Sequence, residues 1–314
     1  MKAAVVTSFK VPPKYSERQA PKASSNEELV VDVVASALHP RVRSQADGSH
    51  YTSTGQLPLV PGIDGVGRDR DGRLRYFVLD DTPAGALAEQ TVIERRRSIV
   101  LPSDCDPVTI AAAMNPAMGS WLALRCRIPF KKKQNVLVLG ATGSAGRMAV
   151  QVARHLGAGQ IVAVGRQDTL LEKLPSLGAT SVAKLGDPAL SALCREVDVV
   201  LDFVWGEASA QTMVALITAR ADRSRPVTWV EIGSVSSPTA PIPSAALRAA
   251  RLQIVGSGIG SVPGNEIVDE LPALVKQIAK GVLRIDARSA PLSQVEREWA
   301  LQPSDTRIVF VPRT

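Results

Sequence analysis

Gly140, Gly143 and Gly146 recur every three residues between an apolar run and a helical pattern. Such a glycine turn brings backbone within reach of a phosphate. The surrounding stretch, residues 135–166, reads NVLVLGATGSAGRMAVQVARHLGAGQIVAVGR. Val136 to Leu139 has the composition of a buried parallel strand, a helical pattern runs on through Leu156, and a second apolar run covers Ile161 to Val164. Strand, turn, helix and strand in that order make one βαβ unit opened by a dinucleotide fingerprint. Free N–H groups at the helix start meet the charge of a pyrophosphate. The pyrophosphate is therefore assigned to the turn and helix start, Gly143, Ser144, Ala145 and Gly146, with Gly140 and Thr142 among the cofactor-binding residues.

The second strand runs into Gly165-Arg166, about 20 residues past the turn, where the ribose is read. An NAD site places Asp or Glu there to accept from the 2′-hydroxyl, and this chain has no acid at that point. Arg166 offers a fixed cation with several donors, suited to a 2′-phosphate, and Lys173 adds a second charge one to two helical turns on. The other reading of Arg166 is a solvated arginine at a strand end. The motif favours NADPH over NADH as cofactor.

Other chemistries find little support. The three cysteines, Cys105, Cys126 and Cys194, lie far apart and match neither a disulfide framework nor a metal cluster. No metal site is expected. The net charge is +7, yet the densest basic run, Lys131-Lys132-Lys133, reads as a solvated turn, and no aromatic residues interleave with the scattered cations. Nucleic-acid binding is not expected; a positive field suits a polyanionic cofactor. Met1 to Leu38 has neither a signal-peptide layout nor an apolar run of membrane length, so a cytoplasmic protein without membrane attachment is expected.

The elements that must hold the turn follow from pattern. The N-terminal third is β-rich: Lys2 to Val6, Leu29 to Ala37, a hairpin over 66–79 turning at Asp71-Gly72, and a strand from Ala88 to Ile93. A helix is expected from Pro107 to Arg125, with Asp106 as its cap. From Asn135 onward strands and helices alternate in a doubly wound pattern, with strands at 136–139, 161–164, 198–204, 227–232 and 252–256. Phe203-Val204 and Ile232-Gly233 end two of these at the carboxyl edge, where cofactors bind in such sheets. Residues 266–282 look helical with a break near Pro272, and an extended run closes the chain from Arg307 to Pro312. That last strand is expected to return to the first domain. The expected division is 1–115 with 276–314, and 116–275 for the NADPH-binding domain. Trp121, Trp205, Trp229 and Trp299 are read as packing.

Taken together, MKAAVV, VVASALHP, LPLVPGIDGVG (57–67), GALAEQTVI (85–93), AAAMNPAMGSWLAL (111–124), the GATGSAG turn and the VFVP terminus resemble the medium-chain dehydrogenase/reductase superfamily, in its zinc-free quinone oxidoreductase branch. The resemblance spans nearly the whole chain. It implies an α/β fold, a Rossmann doubly wound parallel sheet plus a GroES-like β-rich catalytic domain, and a homodimer paired through the cofactor domains. It also implies that Asn115 faces the nicotinamide ribose. By the same resemblance the Gly256-Ser257-Gly258 segment approaches the nicotinamide, the alternative being a plain glycine-rich turn. Zinc-dependent members carry a catalytic Cys and a Gly-His-Glu motif, whereas this chain has Gly62-Ile63-Asp64 and no lobe of four close cysteines. The loop after the second catalytic-domain strand, Asn then Asp in many members, is His39-Pro40-Arg41-Val42 here. His39 and Tyr51 are the pocket candidates for catalysis; His39 equally suits packing at a strand end, and Tyr51 suits a loop covering the cleft slightly better than a proton donor.

Without a metal, charge developing on the acceptor oxygen needs a backbone N–H, a ribose hydroxyl, water, or a side chain such as His39 or Tyr51. Quinones and α,β-unsaturated carbonyls already spread that charge, so the expected function is NADPH-dependent hydride transfer to such small molecules. The alternatives are an enoyl-type reductase in a biosynthetic pathway, and an NADPH-binding structural or sensor protein without turnover.

Overall fold

The chain opens with β1 (Lys2–Val5), paired antiparallel to β2 (Lys14–Glu17). β3 (Glu28–Ala37) alternates buried and half-buried side chains, as a strand with one face on a core must. α1 (Pro40–Ala46) starts after His39, with Pro40 in the first turn where its missing N–H has no intrahelical role. β4 (Asp64–Arg68) and β5 (Leu74–Val78) form the hairpin expected over 66–79. Its connection is longer than an Asp71-Gly72 turn: Asp69 Oδ1 accepts the N–H groups of Asp71 at 3.1 Å and Arg73 at 3.0 Å, and Gly72 takes φ +80°. β6 (Gln90–Glu94) pairs with β3, and β7 (Ser98–Val100) with β5. α2 (Pro107–Leu122) starts as expected, the Asp106 carboxylate accepting from Val108 and Thr109 N–H at 3.3 and 3.0 Å. It widens into a π-helical turn over Ala123–Arg127.

The computed structural model describes residues 1–301 and 305–312 and falls into two units, Met1–Asn115 with Ile267–Thr314, and Pro116–Glu266. The second begins with β8 (Val136–Leu139), α3 (Ser144–His155) and β9 (Ile161–Gly165). Short α4 (Asp168–Leu171) and α5 (Leu174–Leu177) lead to β10 (Ser181–Lys184), then α6 (Leu190–Leu193) and β11 (Val199–Asp202). α7 (Gly206–Ala219), β12 (Val227–Glu231), α8 (Ser244–Ala249) and β13 (Leu252–Gly256) complete it. Among the described residues its six strands are all parallel, in the order β10-β9-β8-β11-β12-β13. The order reverses between β8 and β11, beside the glycine turn, where doubly wound sheets take ligands. On one face Leu137, Leu139, Val162, Val164, Val200 and Trp229 pack with Met213 and Leu216 of α7.

α9 (Gly264–Ala279) leads back to the first unit, followed by β14 (Ala287–Pro291), α10 (Val295–Ala300) and β15 (Arg307–Val311). β15 pairs antiparallel with β3, Val309 opposite Ala37 and Phe310 opposite Ser36. The first unit's larger sheet runs β14-β15-β3-β4-β5-β7, with β6 on β3. Of the segment 276–314, residues 302–304 and 313–314 lie outside the described residues.

Several elements depart from expectation. α9 runs through Pro272 without a break, because buried Leu271, Leu274, Val275 and Ile278 hold it on its packing face. The second division falls at Glu266/Ile267, not after 275, so most of this helix goes with the first unit. β11 ends at Asp202 rather than Val204, since the Asp202 side chain takes the N–H groups of Val204 and Trp205 that a longer strand would offer to its neighbours. β10 carried no apolar signal: it is an edge strand with only Ala183 buried. Among the described residues no helix is long and apolar enough to cross a membrane.

Candidate functional site

The turn between β8 and α3 has the geometry that the glycine spacing requires. Gly140 takes φ +82°, and its N–H and that of Ala141 both donate to Val164 O, at 3.0 and 2.8 Å. A Cβ on Gly146 would stand 2.2 Å from Gly140 O and 2.6 Å from Ala141 Cα, so only glycine lets α3 sit so close to the strand end. A Cβ on Gly143 would meet only Gly140 O, at 3.5 Å, and open space on its other side. That open side is the room a pyrophosphate needs. Gly143 also caps α3 without any side-chain hydrogen bond, and the first helical bond of the turn is Arg147 N–H to Gly143 O at 2.8 Å. The N–H groups of Ser144, Ala145 and Gly146 thus precede the helical ladder and point out of its positive end. Thr142 leans on the neighbouring strand: a Cβ on Gly165 would lie 2.4 Å from Thr142 Cγ2. The turn and the end of β9 are thereby brought together, as dinucleotide recognition demands.

Beyond Gly165, Arg166 is exposed and makes no ion pair among the described residues. The nearest acid in sequence, Asp168, is held by Lys184 at 2.8 Å. Lys173 is exposed at the foot of α4. Two exposed cations near the end of β9 fit the charge of a 2′-phosphate.

Phe203 and Val204 stand against the turn: a Cβ on Gly140 would be 3.3 Å from Phe203 Cβ and 3.2 Å from Val204 Cγ2. Ile232 and Gly233 join them, their N–H groups donating to Asp202 O at 2.8 and 3.2 Å. Ser257, buried, donates its N–H to Glu231 O at 2.8 Å, and Gly258 is held in a turn by Ser261 Oγ at 2.7 Å. Asn115 is half-buried in α2. Glu231, half-buried beside Asp202, has its carboxyl pushed up by burial and by that neighbouring charge. A cavity of about 300 Å³ bordered by Arg127, Lys131, Gln134, Thr228 and Gln253 lies toward the amino half of this sheet and includes none of the predicted cofactor residues.

The two pocket candidates of the first unit differ sharply. His39 is buried, with Nε2 3.1 Å from Asp64 Oδ1, while the Tyr76 hydroxyl donates to Asp64 Oδ2 at 2.8 Å. Burial lowers the pKa of His39 despite the Asp64 carboxylate, and raises that of Tyr76. A neutral His39 donates from Nε2, leaving Nδ1 without a partner among the described residues. Tyr51 is 76 % exposed, its ring 4.2 Å from that of His50. Asp64, Tyr76 and Asp202 were not singled out by sequence reasoning. The available signal was a lone acid inside an apolar run, in VPGIDGVG and in DVVLDFV. Among the described residues no group of three or more His, Cys, Asp or Glu is placed to hold a metal ion.

The family model "Zinc-binding dehydrogenase" matches residues 145–280. Over 99% of its length the chain is similar to a protein of Emericella nidulans named a probable NADPH-dependent quinone reductase, 30% identical over an alignment of 365 positions, gaps included, that covers 100% of that protein. The chain belongs to the medium-chain dehydrogenase/reductase superfamily. Its place is in the quinone oxidoreductase-like branch, with a Rossmann second unit and a GroES-like first unit. The crystal structure of the quinone oxidoreductase from Thermus thermophilus, also solved with NADPH, superposes with a TM-score of 0.83 at 25% identity, covering 99% of this chain and 100% of that one. An NADPH-dependent alkenal/one oxidoreductase from Arabidopsis thaliana chloroplasts is 26% identical over 194 residues, 57% of this chain and half of that protein. Residues 62–64 read Gly-Ile-Asp, with no histidine between the glycine and the acid.

Proposed function

We propose that this chain is an NADPH-dependent oxidoreductase that reduces quinones or α,β-unsaturated carbonyls without zinc. The observation that carries the reading is the paired one at the nucleotide turn: an uncapped helix start open beside Gly143, and an Arg166 unpaired among the described residues where an acid would select NAD. Relatives named for NADPH-dependent quinone and alkenal/one reduction support it. When bound, NADPH supplies a hydride to an electron-poor carbon. The chain's part is to bind and orient. Ser144, Ala145 and Gly146 N–H groups hold the pyrophosphate, Arg166 with Lys173 reads the 2′-phosphate, and the ends of β11, β12 and β13 wall the cofactor with Phe203, Val204, Ile232, Gly233, Ser257 and Gly258. Asn115 is assigned to the nicotinamide ribose. Conjugated acceptors delocalise the incoming charge, so no strong acid or metal is required.

Of the two pocket candidates, Tyr51 keeps a hydroxyl with no hydrogen bond among the described residues and is the available proton donor. His39, sealed against Asp64, acts as a positioning residue. The protein is read as a homodimer working in the cytoplasm, the dimer from its superfamily and the compartment from the sequence. The test is NADPH oxidation against a panel of quinones and enones, with metal content measured on the same sample. Turnover on these acceptors in metal-free protein is expected; tight NADPH binding with no turnover on any acceptor contradicts the reading. Tyr51→Phe is expected to slow enone reduction by about tenfold or more; an unchanged rate removes the donor assignment.

A further inference from the structure

We propose that Asp202 is the positioning residue of the cofactor edge, a buried carboxylate that fixes the loop after β11 in the shape that receives NADPH. The proposal rests on the NADPH reading above. Asp202 ends the apolar strand VVLD with 0% exposure, so its charge must find its partners inside the protein. It finds three. Oδ1 accepts the N–H groups of Val204 at 2.8 Å and Trp205 at 3.0 Å, and Oδ2 accepts the indole N–H of Trp229 at 2.9 Å. Its backbone oxygen meanwhile accepts from Ile232 and Gly233.

These bonds turn the chain sharply. Trp205 is driven to φ +55°, a left-handed conformation that is strained for a side chain of its size, and Gly206 follows at φ +78°. The turn puts Phe203 and Val204 against Gly140. The carboxylate therefore sets residues 203–204 against the glycine turn, while the backbone oxygen of the same residue holds residues 232–233. An amide in its place has a single acceptor oxygen. It can serve the loop N–H groups or the Trp229 indole, but not both without opposing two donors.

That conflict gives the test. NADPH affinity is measured by calorimetry for wild type, Asp202→Asn, Trp229→Phe and the double variant, together with the melting temperature of the free protein and the split of KM from kcat. Asp202→Asn is expected to weaken NADPH binding about tenfold, with KM for NADPH rising in step and kcat at saturation held. Trp229→Phe leaves the loop bonds intact and should leave affinity within about twofold. The double variant frees the amide oxygen for Val204 and Trp205, so affinity recovers even though the protein melts lower than wild type. A purely structural role would make the double variant the weaker binder. Asp202→Asn binding as wild type does, or a folded double variant binding no better than Asp202→Asn, overturns the proposal. Independently of any variant, NADPH should slow amide exchange at Val204 and Trp205 in wild-type protein, and unchanged exchange there with NADPH bound also overturns it. Wild-type protein that takes up no NADPH overturns the cofactor reading itself.

Discussion

Two alanine substitutions three residues apart should have opposite signatures. In Gly146→Ala the new Cβ meets Gly140 O at 2.2 Å and Ala141 Cα at 2.6 Å, where ordinary contact begins at 3.4 Å. Both obstacles are backbone, so neither can rotate away, and α3 must move off the strand end. Overpacking of that kind costs about 3 kcal/mol, the upper part of its usual range. For a unit the size of Pro116–Glu266 this is a fall in melting temperature of roughly 6–12 °C. In Gly143→Ala the Cβ has one neighbour at 3.5 Å and the backbone is already extended, at φ −75° and ψ 164°. The free protein should be as stable as wild type or firmer by up to about 1 kcal/mol, through a less flexible unfolded chain. The methyl group, however, occupies the side open to the pyrophosphate. Losing one charge-assisted hydrogen bond weakens NADPH by about tenfold to a hundredfold. Thermal melts with and without NADPH, plus calorimetric titration, separate the two effects. If Gly143→Ala binds NADPH normally, the phosphate does not sit where the geometry puts it, whatever Gly146→Ala does.

Arg166→Ala should weaken NADPH by about tenfold to a hundredfold while leaving NADH affinity and the melting temperature unchanged, because the guanidinium has no partner to lose among the described residues; equal losses for both nucleotides would remove the 2′-phosphate role. Glu231 has a carboxyl raised above its ordinary 4.5, so the folded state binds its proton more readily than the unfolded one, and its destabilising effect grows as pH rises from 4.5 through the raised value. Glu231→Gln should therefore raise the melting temperature at neutral pH and give no gain below 4.5; a gain that persists in acid would contradict this. His39 and His50 have pKa values lowered by burial, His50 to about 4, so the unfolded chain takes up their protons first as pH falls below 6.5 and stability drops. Replacing His50 by Gln should flatten the stability profile between pH 6.5 and 4, and an unaltered slope would show that His50 is solvated.

The parts of the fold that the sequence made legible are those whose signal is local. The β8–α3–β9 unit is written in an apolar run, three spaced glycines and an amphipathic helix, and Asp106 announces the start of α2 by side-chain chemistry within three residues. What escaped was decided by tertiary partners. β10 is an edge strand with one buried side chain, so alternation had nothing to report. Pro272 breaks an isolated helix but not one pinned by Leu271, Leu274 and Val275. At the site the glycines and Arg166 follow from motif position, whereas Asp64 and Asp202 take their meaning from donors 12 to 27 residues away, Tyr76 and Trp229, whose approach only the folded sheet creates. His39 was visible as a residue able to do chemistry; its burial against Asp64 depends on β4 lying beside β3.

The most direct measurement is a structure of this protein with NADPH bound. The account predicts pyrophosphate oxygens within hydrogen-bond distance of the Ser144, Ala145 and Gly146 N–H groups and a 2′-phosphate on the Arg166 guanidinium. A nucleotide lying elsewhere, or one whose 2′-phosphate faces solvent away from Arg166, would contradict it.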